Sequence, residues 1–174
     1  MKMVDPDQIA AIMDLPEEAE ARTEDIASPE AVVHAVYASI SGPAESVEQR
    51  DWDRLRSLFL PGARFVLARW KREDGRDEEE LRKWDVEEFI RAAKGFYAES
   101  AFYERETGRR IDRFGNIAHV FSAYESRTEQ NGEPVSRGIN SVQLVRSRGR
   151  WWIAHLVWDI ESESNPMPDP PVTP

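Results

Sequence analysis

The chain has 174 residues, no cysteine and a formal net charge of −10, with a sequence pI near 4.9. Without cysteine there is no disulfide, thiolate zinc site, iron–sulfur cluster or thiol nucleophile, and the acidic balance argues against nucleic acid or an anionic membrane as partner. No apolar run approaches the ~20 residues of a membrane span, and Met1 to Met13 carry acids where a secretory signal needs a cationic start, so a soluble, cytoplasmic protein is expected.

Residues 1–27 are rich in acids, from Asp5 and Asp7 through Glu24 and Asp25, and read as a partly mobile tail. A body over 28–162 follows. It opens with Ser28 able to cap, Pro29 at the first helical position and Glu30 at the positive end of the dipole. Val32, Val33, Val36, Tyr37 and Ile40 then recur at helical spacing until Gly42 and Pro43. Val47, Trp52, Leu55, Leu58 and Phe59 mark a second helix, stopped by Pro61 and Gly62. Residues 63–70 read as a strand. The charge-dense stretch 71–83 reads as an exposed connection. Asp85 and Glu88 form a capping box that opens a third helix through Val86, Phe89, Ile90 and Ala93.

From residue 101 the period changes to that of strands. Four are expected, over 101–114, 116–130, 134–148 and 150–161. The links between them are hairpin-length, with Asn131-Gly132 the strongest turn signal. Residues 163–174 hold five prolines and read as a tail. The order ααβαββββ indicates an α+β fold, a curved antiparallel sheet covered on one face by three helices. In the last strand Trp151, Ile153 and Val157 share one parity, while Trp152, Leu156 and Trp158 share the other. Apolar residues on both faces imply that the second face is covered too, and a homodimer through the sheet is the expectation.

Three phrases carry a family resemblance. Asp51-Trp52-Asp53-Arg54-Leu55 running on to Leu58-Phe59-Leu60-Pro61-Gly62-Ala63-Arg64-Phe65, then Phe114-Gly115-Asn116-Ile117-Ala118-His119-Val120, then Gly149-Arg150-Trp151-Trp152-Ile153-Ala154-His155 resemble, in order and spacing, the nuclear transport factor two-like (NTF2-like) superfamily, also called SnoaL-like. The resemblance covers roughly residues 28–161. It implies a cone-shaped fold, often dimeric, with a small-molecule pocket between helices and concave sheet. Members include isomerases, dehydratases, epoxide hydrolases, polyketide cyclases and non-catalytic modules. Their recurring device is an Asp or His in an apolar pocket, sometimes with a Tyr donor.

Burial of such a group makes it a usable base near neutrality, and a hydroxyl steadies a developing oxyanion. His155 and His119, mid-strand, are the candidate bases if they face the cone; the structural alternative is a bonded histidine in a sheet interface. His34 reads as a half-exposed structural histidine. Tyr124 is the candidate donor, Ser122, on the same parity, is a candidate ligand contact, and Asn140 would orient the ligand; the alternative for Tyr124 and Asn140 is a dimer face or internal hydrogen bonding. Trp158, Tyr37 and Trp52 are further candidates for the lining. Asp53 and Asp159 are the carboxylates nearest the expected cone, and neither lies in an apolar run. Glu104, Glu125 and Arg137 suggest a cross-strand ion-pair network. No spacing favours a metal, and no phosphate loop, dinucleotide fingerprint or serine elbow is present, so no cofactor is expected. The functional expectation is a small-molecule-binding protein, a dehydratase (lyase) or isomerase working on an apolar, ring-containing substrate by acid–base chemistry. The alternative is a non-catalytic ligand-binding or protein-interaction module that dimerises through its sheet.

Overall fold

The first helix forms where its caps place it. Ser28 Oγ accepts from Ala31 N at 3.2 Å, and α1 runs Pro29–Ile40. Its last carbonyl, unpaired within the helix, and that of Gly42 just beyond the cap are met by one buried guanidinium: Arg50 Nη1 donates to Ile40 O at 2.6 Å and Nη2 to Gly42 O at 2.7 Å. The same group lies 4.6 Å above the Tyr97 ring. This cap explains why the expected second helix is broken. A 3-10 segment, Ala44–Gln49, ends where Arg50 turns extended, and Asp51 then caps a separate short helix, α2 (Trp52–Ser57), by accepting from Arg54 N. The computed structural model describes residues 20–73, 76–169 and 172, so most of the acidic segment 1–27 lies outside the described residues. Its end does not: Ile26 packs on the core, and its carbonyl accepts from Trp151 N at 3.1 Å.

Six strands follow: β1 (Phe59–Glu73), β2 (Arg76–Trp84), β3 (Tyr103–Phe114), β4 (Ile117–Arg127), β5 (Ser136–Ser147) and β6 (Arg150–Ile160). Their order is β2-β1-β6-β5-β4-β3, antiparallel throughout except for the parallel β1/β6 pair. Helix α3 (Val86–Glu99) sits between β2 and β3 behind the expected capping box of Asp85 and Glu88. Within the stretch 71–83, the described residues 71–73 and 76–83 are therefore not a connection but parts of two paired strands. Their charges alternate in register, so Arg69 Nε meets Glu80 Oε2 across the strands at 2.6 Å and Arg82 joins the same carboxylate. An edge strand tolerates such a face.

Two bulges decide which side chains face the helices. One extra residue, Thr107, stands in β3 opposite β4, and another, Ala154, stands in β6 opposite β5. Past Ala154 the alternation is offset, so Trp151, Ile153, Leu156 and Trp158 all face inward despite their mixed parity. Inner rows run Ile111–Val120–Val142–Leu156–Phe65 and Arg109–Ser122–Asn140–Trp158–Leu67 across the sheet. Helix α1 packs on β3, β4 and β6, and α3 on β1 and β2. Phe65 stacks on Phe89 of α3 at 3.9 Å, closing that side of the core.

Candidate functional site

Along β4 the inward residues change from Ala118 and Val120 to Ser122, Tyr124 and Ser126, so the concave face is apolar at one end and polar at the other. β5 complements this, with Asn140 opposite Ser122 and Gly138 opposite Tyr124. Gly138 is required there. A Cβ would fall 2.2 Å from Asp159 O and 2.6 Å from Tyr124 Oη, so only glycine leaves room for the phenol.

Tyr37, one turn before the end of α1, brings its hydroxyl 2.7 Å from Ser122 Oγ and accepts from Asn140 Nδ2 at 3.0 Å. Ser122 Oγ donates onward to Glu106 Oε1 at 2.6 Å, and Glu106 Oε2 pairs with Arg109 at 2.8 Å. Glu104 joins from β3. Its backbone N–H donates to Ser41 Oγ at 2.9 Å, its pairing with Ser126 puts its side chain on the inward face, and the Asn140 amide favours the charged form of its carboxyl. Burial pushes that carboxyl up to about 8, against the opposing pull of Asn140. Burial, and next the charge of Glu104, raise the phenols of Tyr37, Tyr97 and Tyr124 well above their ordinary value. Between Val33, Val36, Tyr37, Asn140, Val142 and Leu156 a cavity of about 10 Å³ remains, the room of a single water. A carboxyl that titrates near neutrality can take a proton and return it, and phenol and amide donors beside it can stabilise an oxyanion.

The structure thus brings Tyr37, Ser122, Tyr124 and Asn140 together. Trp158 adjoins them as the cross-strand neighbour of Asn140, half-buried and stacked on Trp84 at 5.8 Å. Trp52 does not join the cluster. It is buried in the helical layer, its indole donating to Val47 O at 2.9 Å. His119 and His155 lie on the opposite face. Asp112, His119, Gln143, His155 and Arg64 form one row across the outer surface. His155 is exposed there because the Ala154 bulge offsets it from Ile153, and His119 Nε2 sits 2.8 Å from Ser141 Oγ. Their premise as bases, a place inside the cone, is not met. His34 is exposed on α1. Asp53 is exposed and pairs with Arg56, while Asp159 accepts from Ile160 N and Asn165 Nδ2.

The expected ion-pair network divides differently. Glu125 takes Arg105 at 2.5 Å and also Arg127, and Arg137 pairs with Glu161 at 2.8 Å, while Glu104, paired with inward Ser126, turns inward instead. Glu104 and Glu106 are the site residues that the sequence reading missed. Their signal was strand alternation with Tyr103 and Arg105, hidden within a string that looks like a solvated charged face.

Comparison with solved structures places this architecture. An NTF2-like protein of unknown function from Silicibacter pomeroyi is similar over 91% of this chain and 100% of that one, at 18% identity and TM-score 0.50. A protein of unknown function from Mycobacterium tuberculosis is similar over 77% and 73%, at 15% identity and TM-score 0.54. A protein with a cystatin-like fold from Nostoc punctiforme is similar over 75% and 90%, at 10% identity and TM-score 0.52. No protein-family model matches the chain, and no curated protein matches it. The chain has the NTF2-like fold, an open curved sheet with its helices on the concave side.

Proposed function

We propose that this NTF2-like chain binds a small molecule at the polar end of its cone and acts on it by acid–base chemistry, as an isomerase or dehydratase. Glu104 carries the proton, Tyr124 donates to the oxygen on which charge develops, and Tyr37 and Asn140 position the groups around Glu104. The observation that supports this is the Glu104 carboxyl itself, turned into the cone among three phenols and an amide. A surface glutamate on a strand needs no such surroundings, and burying a carboxyl costs stability unless something compensates. Near neutrality both of its forms are populated. The ionised form can take a proton from carbon next to a carbonyl, and the acid can return it to another carbon or to a leaving hydroxyl. The apolar side chains beyond Asn140, Trp158 and Leu67, suit a ring-containing ligand. Because the cavity admits only one water, ligand entry has to displace side chains, and half-buried Trp158 beside Asn140 is the place for it.

A second reading is a non-catalytic module, favoured by that same small cavity: an interior filled by its own tyrosines needs no ligand. Either reading includes a homodimer through the outer sheet face. That face carries half-buried Val66, Phe121, Ile139 and Val157 and the exposed Trp70 and Ile117.

Thermal shifts against ring-containing ketones, epoxides and polyketide-like aromatics test the proposal. A ligand at about 100 times its Kd stabilises by about 2.7 kcal/mol. The expected result is a hit that is chemically converted by the native chain and bound but not converted by Glu104→Gln. Equal turnover by Glu104→Gln would refute the role of Glu104, and binding without conversion would establish the second reading.

A further inference from the structure

Four polar groups run in line from the interior of the cone to its β3 edge. Asn140 Nδ2 is 3.0 Å from Tyr37 Oη, Tyr37 Oη is 2.7 Å from Ser122 Oγ, and Ser122 Oγ is 2.6 Å from Glu106 Oε1. Ser122 is fully buried and Tyr37 5% exposed, so water does not compete for the inner links. Glu106, at the outer end, keeps 14% of its side chain open and holds Arg109 on its other oxygen.

The direction of the whole line follows from that end. A carboxylate only accepts, so the single proton of Ser122 goes to Glu106. Ser122 then offers Tyr37 only lone pairs, and the phenol must donate to it. The phenol oxygen, its proton committed, accepts from the Asn140 amide. An amide that favours ionised Glu104, as that of Asn140 does, must likewise turn an N–H toward it. The two demands on Asn140 agree only in this direction. If the line ran the other way, Ser122 would donate to Tyr37, Tyr37 to Asn140 Oδ1, and the carboxamide would turn its oxygen toward Glu104.

We infer that Glu106 is a positioning residue of the cone site: acting through Ser122 and Tyr37, it fixes which edge of the Asn140 carboxamide faces Glu104. Its consequence for catalysis rests on the acid–base reading above, whereas its geometry is testable in the ligand-free protein. The groups facing Glu104 are Tyr37 from α1, Tyr97 from α3 and Tyr124 from β4, with Glu106 along β3. Arg50 stands against Tyr97, and Asp159 acts on Tyr124. The three phenols stay neutral while Glu104 titrates.

The experiment is carboxyl carbon-13 NMR of the full chain labelled at glutamate, with the Glu104 signal assigned by its loss in Glu104→Gln. Midpoints are compared in the native chain, Glu106→Gln, Glu106→Asp and Ser122→Ala. Glu106→Gln and Ser122→Ala are each expected to raise the Glu104 midpoint by about half a pH unit or more, the scale of one neutral hydrogen bond. Glu106→Asp, which keeps a group that can only accept, should return toward the native value, whereas the glutamine amide can also donate to Ser122 and no longer fixes the direction of the line. The sign separates this relay from charge acting through space, because removing a neighbouring negative charge lowers a carboxyl's midpoint. A lowered midpoint in Glu106→Gln, or no change in Ser122→Ala, would overturn the inference. If Glu106→Gln fails to fold, Ser122→Ala decides it alone. Raised midpoints in a protein that converts no compound would uphold the relay and sink the acid–base reading.

Discussion

Asp25 grips Arg54 through two parallel hydrogen bonds, Arg54 Nε to Oδ2 at 2.6 Å and Nη2 to Oδ1 at 2.7 Å. Only 5% of the Asp25 side chain and 17% of that of Arg54 meet solvent. The pair pins the segment before α1 to α2. The hydrogen bond from Arg54, with its positive charge, holds the Asp25 carboxyl below the ordinary carboxylate range, against a smaller opposing effect of burial. Removing one partner of such a pair strands the other's charge.

Asp25→Ala is therefore expected to cost about 3 kcal/mol in urea unfolding at neutral pH. A depressed carboxyl contributes stability above its unfolded value and loses it as pH falls through the folded one. The gap between native chain and variant should thus narrow on acidification below 3.8. A gap that stays constant down to strong acid would show that packing, and not the ion pair, is what the variant loses.

Gly138→Ala should destabilise by about 1–3 kcal/mol, the range for forced overpacking, since the new methyl meets a backbone oxygen and the Tyr124 phenol. Near-ultraviolet circular dichroism should register the displaced ring. An alanine variant as stable as the native chain would mean that Tyr124 does not occupy this place.

Glu104 produces the opposite pH dependence to Asp25. Its proton is held more tightly folded than unfolded, so stability falls as pH rises from 4.5 to about 8. Glu104→Gln removes the titrating group. The variant should gain on the native chain steadily across that window in thermal unfolding. Parallel curves for the two proteins would show that the carboxyl is solvated.

For the proposed dimer, sedimentation velocity should find the native chain as a dimer and Val157→Asp as a monomer with unchanged far-ultraviolet dichroism. Val157 lies mid-sheet on the outer face, opposite Ser141 of β5. A native chain that is monomeric at tens of micromolar would end the dimer reading.

The helices were legible because their signals are local. Ser28 with Pro29, and Asp85 with Glu88, act within one turn of the residues they cap. The strands after residue 101 were equally legible, since Asn131-Gly132 and the short links leave little choice of pairing. β2 was not, because hydrophobic patterning marks a strand by what it buries, and this one is held by cross-strand charge. Tyr37, Ser122, Tyr124 and Asn140 could be named, being polar groups among apolar neighbours. Glu104 could not, because whether a carboxylate in a charged string turns in or out depends on the partner strand. The outward place of His155 was hidden for a related reason: parity counted along β6 takes no account of an unpaired residue.

That unpaired residue has a bearing on how this chain is aligned with distant relatives. Ile153 and His155 already pair with consecutive residues of β5, Leu144 and Gln143, so a relative lacking a residue at 154 would keep every side chain of β6 on its present face. A gap at almost any other point of the strand would exchange interior for exterior from there on. At low identity, placing the gap at Ala154 instead of in the neighbouring turn decides whether Leu156 and Trp158 are matched to interior residues, and so whether the lining of the cone is transferred correctly between relatives. Thr107 has the same standing in β3.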